Sequence, residues 1–344
     1  MERAYLDWNA TAPLRPEARA AMVDALEVTG NPSSVHAEGR AATALVARAR
    51  AQVAEAMGAD GADVVFVSGA TEAAALAMAG RGLATAPVEH EAVAAWGDGS
   101  LPVGPDGAVA VAAPARSALQ LANSETGALQ DLPAGLAVSD WTQAFGKVPL
   151  RFDGAGVDMA LVSAHKLGGP KGVGALVLRR GLDLQARIRG GGQEMGRRSG
   201  TENVAGIAGF GAAAEAAARD VAEGAWDGVA ELRTFLETRL EALGDPTILV
   251  GKEARRLPNT TCVIAPGLKG ETQVMALDLA GFAVSAGSAC SSGKVRESAV
   301  LRAMGYGPGE ADCAIRVSLG PTTTREQVAR FVEAYARLRE RRRR

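Results

Sequence analysis

An apolar run, Met159–Val162, leads into His165-Lys166 and then into glycines at 168, 169, 172 and 174 with Pro170 among them, the stretch SAHKLGGPKGVGAL. Few folds accommodate that order. A lysine at the end of a buried strand is costly unless it is paired, used covalently or turned to solvent. On this stretch alone two readings stay open. One is a surface turn, where Lys and Gly are common. The other is a functional lysine among residues without bulk, so that backbone can come close to a ligand.

The run belongs to a series. DVVFVSGATEAAALAMAG reads as strand, tight turn and helix, and further apolar strands are expected at Ala108–Ala113, Leu119–Ala122, Leu136–Ser139, Met159–Ser163 and Gly174–Leu178. The alternation predicts an α/β fold with a mostly parallel sheet between helices. Ligands of such sheets sit at the carboxyl ends of the strands, where Thr71, Asn123, Asp140 and Lys166 fall. After Asn203 two Ala/Glu/Arg-rich helices, about 203–222 and 225–243, lead to a Gly244-Asp245-Pro246 turn, an expected domain boundary. Short strands and helices alternate beyond it, and a charged helix from about Thr324 closes the chain.

With 344 residues the chain can build one large domain and a smaller one. Lys plus Arg number 37 and Asp plus Glu 39, a net charge of −2, so there is no general case for nucleic acid or a membrane surface. No apolar run approaches the ~18 residues of a membrane helix. Three cysteines and no leader pattern point to a reducing cytoplasm without disulfides. The basic end RLRERRRR reads first as a solvated helix terminus and only second as a docking patch.

Several residues have the chemistry of a site. Gly69-Ala70-Thr71 lies between strand and helix, where free N–H groups and the Thr71 hydroxyl suit an anion, or simply cap the helix. Its spacing is not that of a nucleotide-binding loop. Asp140 ends a strand with Gln143 three residues later; the pair could hold a protonated ring nitrogen and another polar atom of the same ring, or serve as an N-cap and a surface amide. His90 is one of three histidines, structural or able to stack on a ring and move protons. Cys290, among small residues in AGSACSSGK and near Lys294 and Arg296, reads as an exposed, mobile, thiolate-prone cysteine. Cys262 and Cys313 lie in apolar segments and read as core. Arg316, in a strand pattern, needs a carboxylate, from a substrate or a salt bridge.

Together these segments resemble the cysteine desulfurases, pyridoxal-phosphate enzymes of the class V aminotransferase group, on the NifS/IscS-like branch. The motifs run in order along nearly the whole chain: YLDWNATAP, GNPSSVHAEGRAA, VFVSGATEAA, VEHEAV, ANSETG, SDWTQAFGK, SAHKLGGPKGVGAL, RGGGQEMGRRSGTENVAGI, PNTTCVI, SAGSACSSGK and IRVSLG. The resemblance implies a fold-type I, aspartate-aminotransferase-like architecture. A large cofactor domain would span residues 13–244. Residues 1–12 with 245–344 would form a small α+β domain carrying the Cys290 loop.

By the same resemblance Lys166 bonds covalently to pyridoxal phosphate and later takes the substrate's Cα proton. Asp140 pairs with the pyridinium nitrogen, Gln143 with the phenolic oxygen, and His90 stacks on the ring. Ala70, Thr71, Ser163 and His165 bind or flank the phosphate, and Thr201 reaches the phosphate of a neighbouring subunit in a homodimer. Ser124 stands where the family has a cofactor-contacting Asn, with Asn123 beside it toward the substrate. Arg316 binds the substrate carboxylate. Cys290 attacks the sulfur of L-cysteine, becomes a persulfide, leaves L-alanine and passes sulfur to an iron–sulfur scaffold or another acceptor. It could also transiently ligate an iron–sulfur cluster; no resident metal is expected. The stretches from His90 to Asn123 and from Gln130 to Asp140 are shorter than in the family, and the second has no room for a helix plus a full strand. Two other readings compete: a related enzyme such as a selenocysteine lyase or an aminotransferase, and a degenerate homologue acting as scaffold or regulator.

Overall fold

The computed structural model describes residues 3–244, 246–287 and 297–343. Its strands are β1 (Ala4–Tyr5), β2 (Ala62–Val67), β3 (Ala118–Gln120), β4 (Val138–Asp140), β5 (Met159–Ser163), β6 (Gly174–Arg179), β7 (Ile248–Leu249), β8 (Thr260–Ile264), β9 (Phe282–Ala283), β10 (Ser285–Ala286) and β11 (Ala314–Ser318). Its helices are α1 (Pro16–Leu26), α2 (Ala37–Ala56), α3 (Ala70–Met78), α4 (Glu91–Ala94), α5 (Val204–Ala222), α6 (Ala225–Glu241), α7 (Gly270–Leu279), α8 (Ala299–Ala303), α9 (Pro308–Ala311) and α10 (Arg325–Arg343).

The central sheet has the order β2-β6-β5-β4-β3. Its pairings are parallel for β3–β4–β5 and antiparallel on both sides of β6, so β6 alone runs against the other four. Both faces are covered, which is why these strands read as continuous apolar runs. Alternation still sorts the side chains. Val64, Phe66 and Val162 pack with α2 and α5 residues such as Val53 and Phe210. Val65, Val67 and Leu161 pack with Leu76 and Met78 of α3. Every residue of β5 is buried, so its end, and Lys166 just after it, is set by the sheet's interior.

One expected strand is absent. Residues 108–113 fold back in a tight turn, with Ala110 N–H bonding Pro102 O and Gly104 N–H bonding Ala108 O. Val109 makes an isolated bridge to Val103, and Val109 and Val111 pack beside Val250, Cys262 and Ile264 instead of joining the sheet. The expected 119–122 and 136–139 strands become β3 and β4 of three residues each. The brevity of the intervening chain leaves no helix between Gln130 and Asp140.

A second, antiparallel sheet has the order β10-β11-β8-β7, and β1 pairs in parallel with β9. Ala4 and Leu6 share a core with Val263, Ile315, Val317, Phe331 and Tyr335, so the first residues of the chain pack with its last third. Helix α6 contributes Trp226, Val229, Leu236 and Leu240 to that core. In the basic end of α10, Arg339 is buried and donates to Thr247 Oγ1 at 2.7 Å and Pro246 O at 2.8 Å, anchoring the helix. Among the described residues no helix is long and apolar enough to cross a membrane.

Gly174 brings the two central elements together. A Cβ there would stand 2.5 Å from Val162 O and 2.8 Å from the Gly69 Cα, where α3 begins. The expected glycine role, close approach of backbone, is therefore met at this position by strand against helix start. Gly174→Ala should lower stability by about 1–3 kcal/mol in urea unfolding, whereas Gly172→Ala, with open space around its Cβ position but a positive φ, tests the backbone cost alone.

Candidate active site

The carboxyl ends of β3, β4 and β5 and the start of α3 enclose a cavity of about 690 Å³. Ala70, Thr71, His90, Ser124, Asp140, Gln143, Ser163, His165 and Lys166 all line it, which brings together nine of the residues singled out from the sequence. Asn123, Arg316 and Thr201 do not line it. Cys290, with residues 288–296, lies outside the described residues.

Lys166 sits in a short 3-10 turn, Ala164–Lys166, that ends β5. Its Nζ donates to the carbonyls of Asn9 (2.6 Å) and Ala10 (3.0 Å), so the amine is aimed by the N-terminal segment. Asp140 Oδ1 accepts from Thr142 N–H at 2.8 Å, which sets the carboxylate at the strand end. Gln143 Nε2 donates to Asn9 O at 2.9 Å. His90 caps α4: its Nδ1 accepts from Ala92 N–H at 3.1 Å, so the neutral ring carries its proton on Nε2. His165 contacts Thr11 Oγ1 through Nδ1 at 3.2 Å, and burial, then Lys166, Lys171 and Lys147, hold its pKa down at about 4, leaving the ring neutral.

Asn123 spends its amide locally. Its Nδ2 donates to Val88 O and its Oδ1 accepts from Glu125 N–H and Thr126 N–H, fixing the turn that presents Ser124. Arg316 is buried on β11, where Nη2 pairs with Asp7 Oδ1 at 2.7 Å and Nη1 donates to Ser124 O at 3.1 Å. Its Nε has no partner among the described residues. Thr201 is exposed in the segment before α5. Cys262 and Cys313 are buried, as expected of core cysteines.

Four polar residues, three of them buried and Glu125 half-buried, escaped the sequence reading. Asn9 is fully buried and touches both halves of the site. Lys147 is 2% exposed and bonds Gln143 and Asn9; the visible signal was a lysine four residues after Gln143 in an otherwise apolar segment. Glu89, beside His90, accepts from Gln120 N–H at 2.9 Å, and burial keeps its carboxyl protonated well above the usual range. Glu125 accepts from Ser298 Oγ at 2.6 Å, and a Cβ at Gly287 would lie 3.2 Å from its Oε2. Burial pushes its pKa from 4.5 to about 7, against the pull of Ser298, Arg316 and His90.

A lysine amine inside the cavity, a carboxylate at a strand end, an amide donor, an imidazole and a strand-to-helix turn together suit a phosphorylated, protonated aromatic ring that accepts a covalent bond from an amine. Fold and site thus define a pyridoxal-phosphate enzyme. The chain belongs to the class-V aminotransferase family, whose model matches residues 4–96 and 118–331. The unmatched stretch contains the folded-back 108–113 segment. Among curated relatives, it is 41% identical to the cysteine desulfurase of Cereibacter sphaeroides, covering 97% of this chain and 95% of that one. It is 35% identical to cysteine desulfurase IscS of Dictyoglomus turgidum, covering 97% and 94%. Among solved structures, the NifS-like protein of Rickettsia africae superposes with a TM-score of 0.89 at 30% identity, covering 98% of this chain and all of that one. SspA in complex with cysteine does so with a TM-score of 0.76 at 25% identity, covering 93% and 100%.

The raised pKa of Glu125 has a defined sign. Below pH 4.5 the carboxyl is protonated folded or unfolded; as pH rises to about 7 only the unfolded chain ionises, and stability is lost. His165 acts in the opposite sense, losing stability as pH falls from 6.5 towards 4. Comparing wild type with Glu125→Gln isolates the first effect. Between pH 4.5 and 8 the wild type should lose stability relative to the variant, by at most about 3 kcal/mol since solvent reaches part of the carboxyl, read from urea midpoints.

Proposed function

We propose that this protein is a cysteine desulfurase: it removes the sulfur of free L-cysteine, leaving L-alanine, and carries that sulfur as a persulfide on Cys290. The observation that carries the reading is the Lys166 amine, held inside the cavity by the Asn9 and Ala10 carbonyls with Asp140, Gln143 and His90 around it. The cysteine desulfurases among its relatives support it.

Pyridoxal phosphate, when bound, supplies the electron sink for the substrate's Cα. Lys166 would hold it, Asp140 would keep its ring nitrogen protonated, Gln143 would donate to its phenolic oxygen, and His90 would stack on it. Ala70, Thr71, Ser163 and His165 would surround its phosphate at the start of α3, where N–H groups of the first turn lack helical partners. Ser124, presented by the Asn123 turn, would add a shorter-reaching hydroxyl. Lys166, once released, removes the Cα proton, and His90 Nε2 is placed to move protons at the cavity wall. Arg316 would hold the substrate carboxylate, which competes with Asp7 for the guanidinium. The Cys290 thiolate attacks the substrate sulfur: an S–S bond forms, the C–S bond breaks, and the carbon skeleton takes up protons and leaves as alanine. The thiol form is a poor nucleophile, so the step needs the thiolate.

We extend the reading to a cytoplasmic homodimer in which exposed Thr201 reaches the neighbouring cofactor, and to an iron–sulfur scaffold or similar protein as acceptor, with Cys290 able to ligate the cluster in passing. The joining of residues 1–12 to 245–344 is supported by the shared core of Ala4, Leu6 and the second sheet, whereas α6, from the 13–244 side of the division, packs into that same core. The scaffold, selenocysteine-lyase and aminotransferase readings are less favoured, since the curated relatives that cover the chain are cysteine desulfurases.

With L-cysteine and a thiol reductant, the wild type should release alanine and sulfide in equal amounts. Cys290→Ala should keep the yellow cofactor and lose sulfide release by ~100-fold or more, whereas Lys166→Ala should lose both the covalent attachment and turnover. A yellow wild type inert toward cysteine would overturn the substrate assignment.

A further inference from the structure

We propose that Lys147 is a positioning residue that makes Gln143 a hydrogen-bond donor toward the cofactor, by donating to the other end of its carboxamide. The proposal rests on the pyridoxal-phosphate reading above and deepens it.

A carboxamide's two ends are told apart only by their partners. Here the partners decide every amide in a chain that runs from the second sheet to the cavity. Leu319 O is a carbonyl and can only accept, so the atom of Asn259 facing it at 3.0 Å is Nδ2. Asn259 Oδ1 then accepts from Thr260 Oγ1 at 2.9 Å. The Thr260 oxygen in turn accepts from Asn9 Nδ2 at 2.9 Å, a nitrogen that also faces the carbonyl of Ser124. Asn9 Oδ1 therefore faces the other way, where Asn259 Nδ2 and Lys147 Nζ each donate to it at 3.0 Å. Asn9 O is a carbonyl and only accepts, so the Gln143 atom 2.9 Å from it is Nε2 and the atom 2.7 Å from Lys147 Nζ is Oε1. Nε2 is thereby the donor end of a side chain that lines the cavity.

Lys147 is suited to this work by what surrounds it. It is 2% exposed, its two partners are both neutral acceptors, and no ion pair to it exists among the described residues. The charged groups that bear on it are cationic: Lys166 after β5 and Arg316 on β11. Burial first, then these two, hold its pKa well below the ordinary lysine value, and its N–H groups meet two acceptors, Gln143 Oε1 and Asn9 Oδ1. Without it, Gln143 Oε1 would be a buried acceptor with no donor, and the carboxamide would gain by swinging or flipping away. The backbone supports the placement. Gly146 has φ +77°, and a Cβ there would lie 2.9 Å from Ala217 and 3.1 Å from Leu167, so the turn that carries Lys147 inward closes tightly on α5.

The test follows the visible absorbance of the lysine-bound cofactor through a pH titration, in wild type, Lys147→Met, Lys147→Gln, Gln143→Leu and the double variant Lys147→Met/Gln143→Leu, together with the cofactor dissociation constant from fluorescence. Losing a donor to the phenolic oxygen should raise the titration midpoint by roughly one pH unit in both Lys147→Met and Gln143→Leu. The double variant should shift no further than Gln143→Leu alone, because Lys147 acts through Gln143. Lys147→Gln keeps neutral N–H donors and should shift less than half as far, and it decides the matter alone should the methionine variant not fold. An unshifted midpoint in Lys147→Met, an additive double variant, or a Lys147→Gln shift as large as that of Gln143→Leu overturns the proposal. A merely structural lysine would lower the melting temperature and leave the midpoint in place. A wild type that takes up no pyridoxal phosphate overturns the underlying reading and the proposal with it.

Discussion

Asn9 is the point on which the rest of the site depends. Its side chain and backbone are shared between the central sheet's loops and the second sheet: Gln143, Lys147 and Lys166 on one side, Asn259, Thr260 and Ser318 on the other. A buried carboxamide with every atom bonded is stabilising only when all its partners are in place. Strand β1 and the Asp7–Ser318 bridge hold Asn9 there, by pairing the first residues of the chain with its last third. The reactive amine is thereby aimed by a segment more than 150 residues away from it in sequence.

Charge in this region is managed by burial as much as by pairing. Arg316 is matched by Asp7, while Glu89, Glu125, Lys147 and His165 are each shifted toward their neutral forms by loss of solvent. The site therefore presents donors and acceptors of fixed direction, with Lys166, Lys171 and Asp140 as the ionisable groups on the cavity wall besides the two histidines. The neutral forms of the buried groups follow from cost, because each buried ionised group without a partner would cost several kcal/mol.

Much of the fold was legible in the chain. The apolar runs of β2, β5 and β6 are covered on both faces, so they stood out as unbroken strands, and α5, α6 and α10 followed from their helix-forming composition. The 108–113 run failed because alternation of Ala and Val fits any half-buried surface; turned back through Gly104 and Gly107, its Val109 and Val111 pack between the central sheet's core and the cluster of Val250, Cys262 and Ile264. Of the candidate residues, those at strand ends and in tight turns were legible, since strand ends converge in a sheet of this kind. Glu89 and Glu125 were not, because nothing in a local window distinguishes a glutamate that will lose its solvent from one that will keep it; Lys147 left only one mark, its place four residues after Gln143.

By itself the sequence determined which chemistry is available: an amine after a buried strand, a carboxylate with an amide one turn later, a cysteine among small residues, and a family to which such an order belongs. The tertiary structure alone decided which way those groups face. Direction in a hydrogen-bond network is set by partners far apart in the chain, here from the Leu319 carbonyl to the Gln143 amide, and such partners meet only once the two sheets have closed on Asn9.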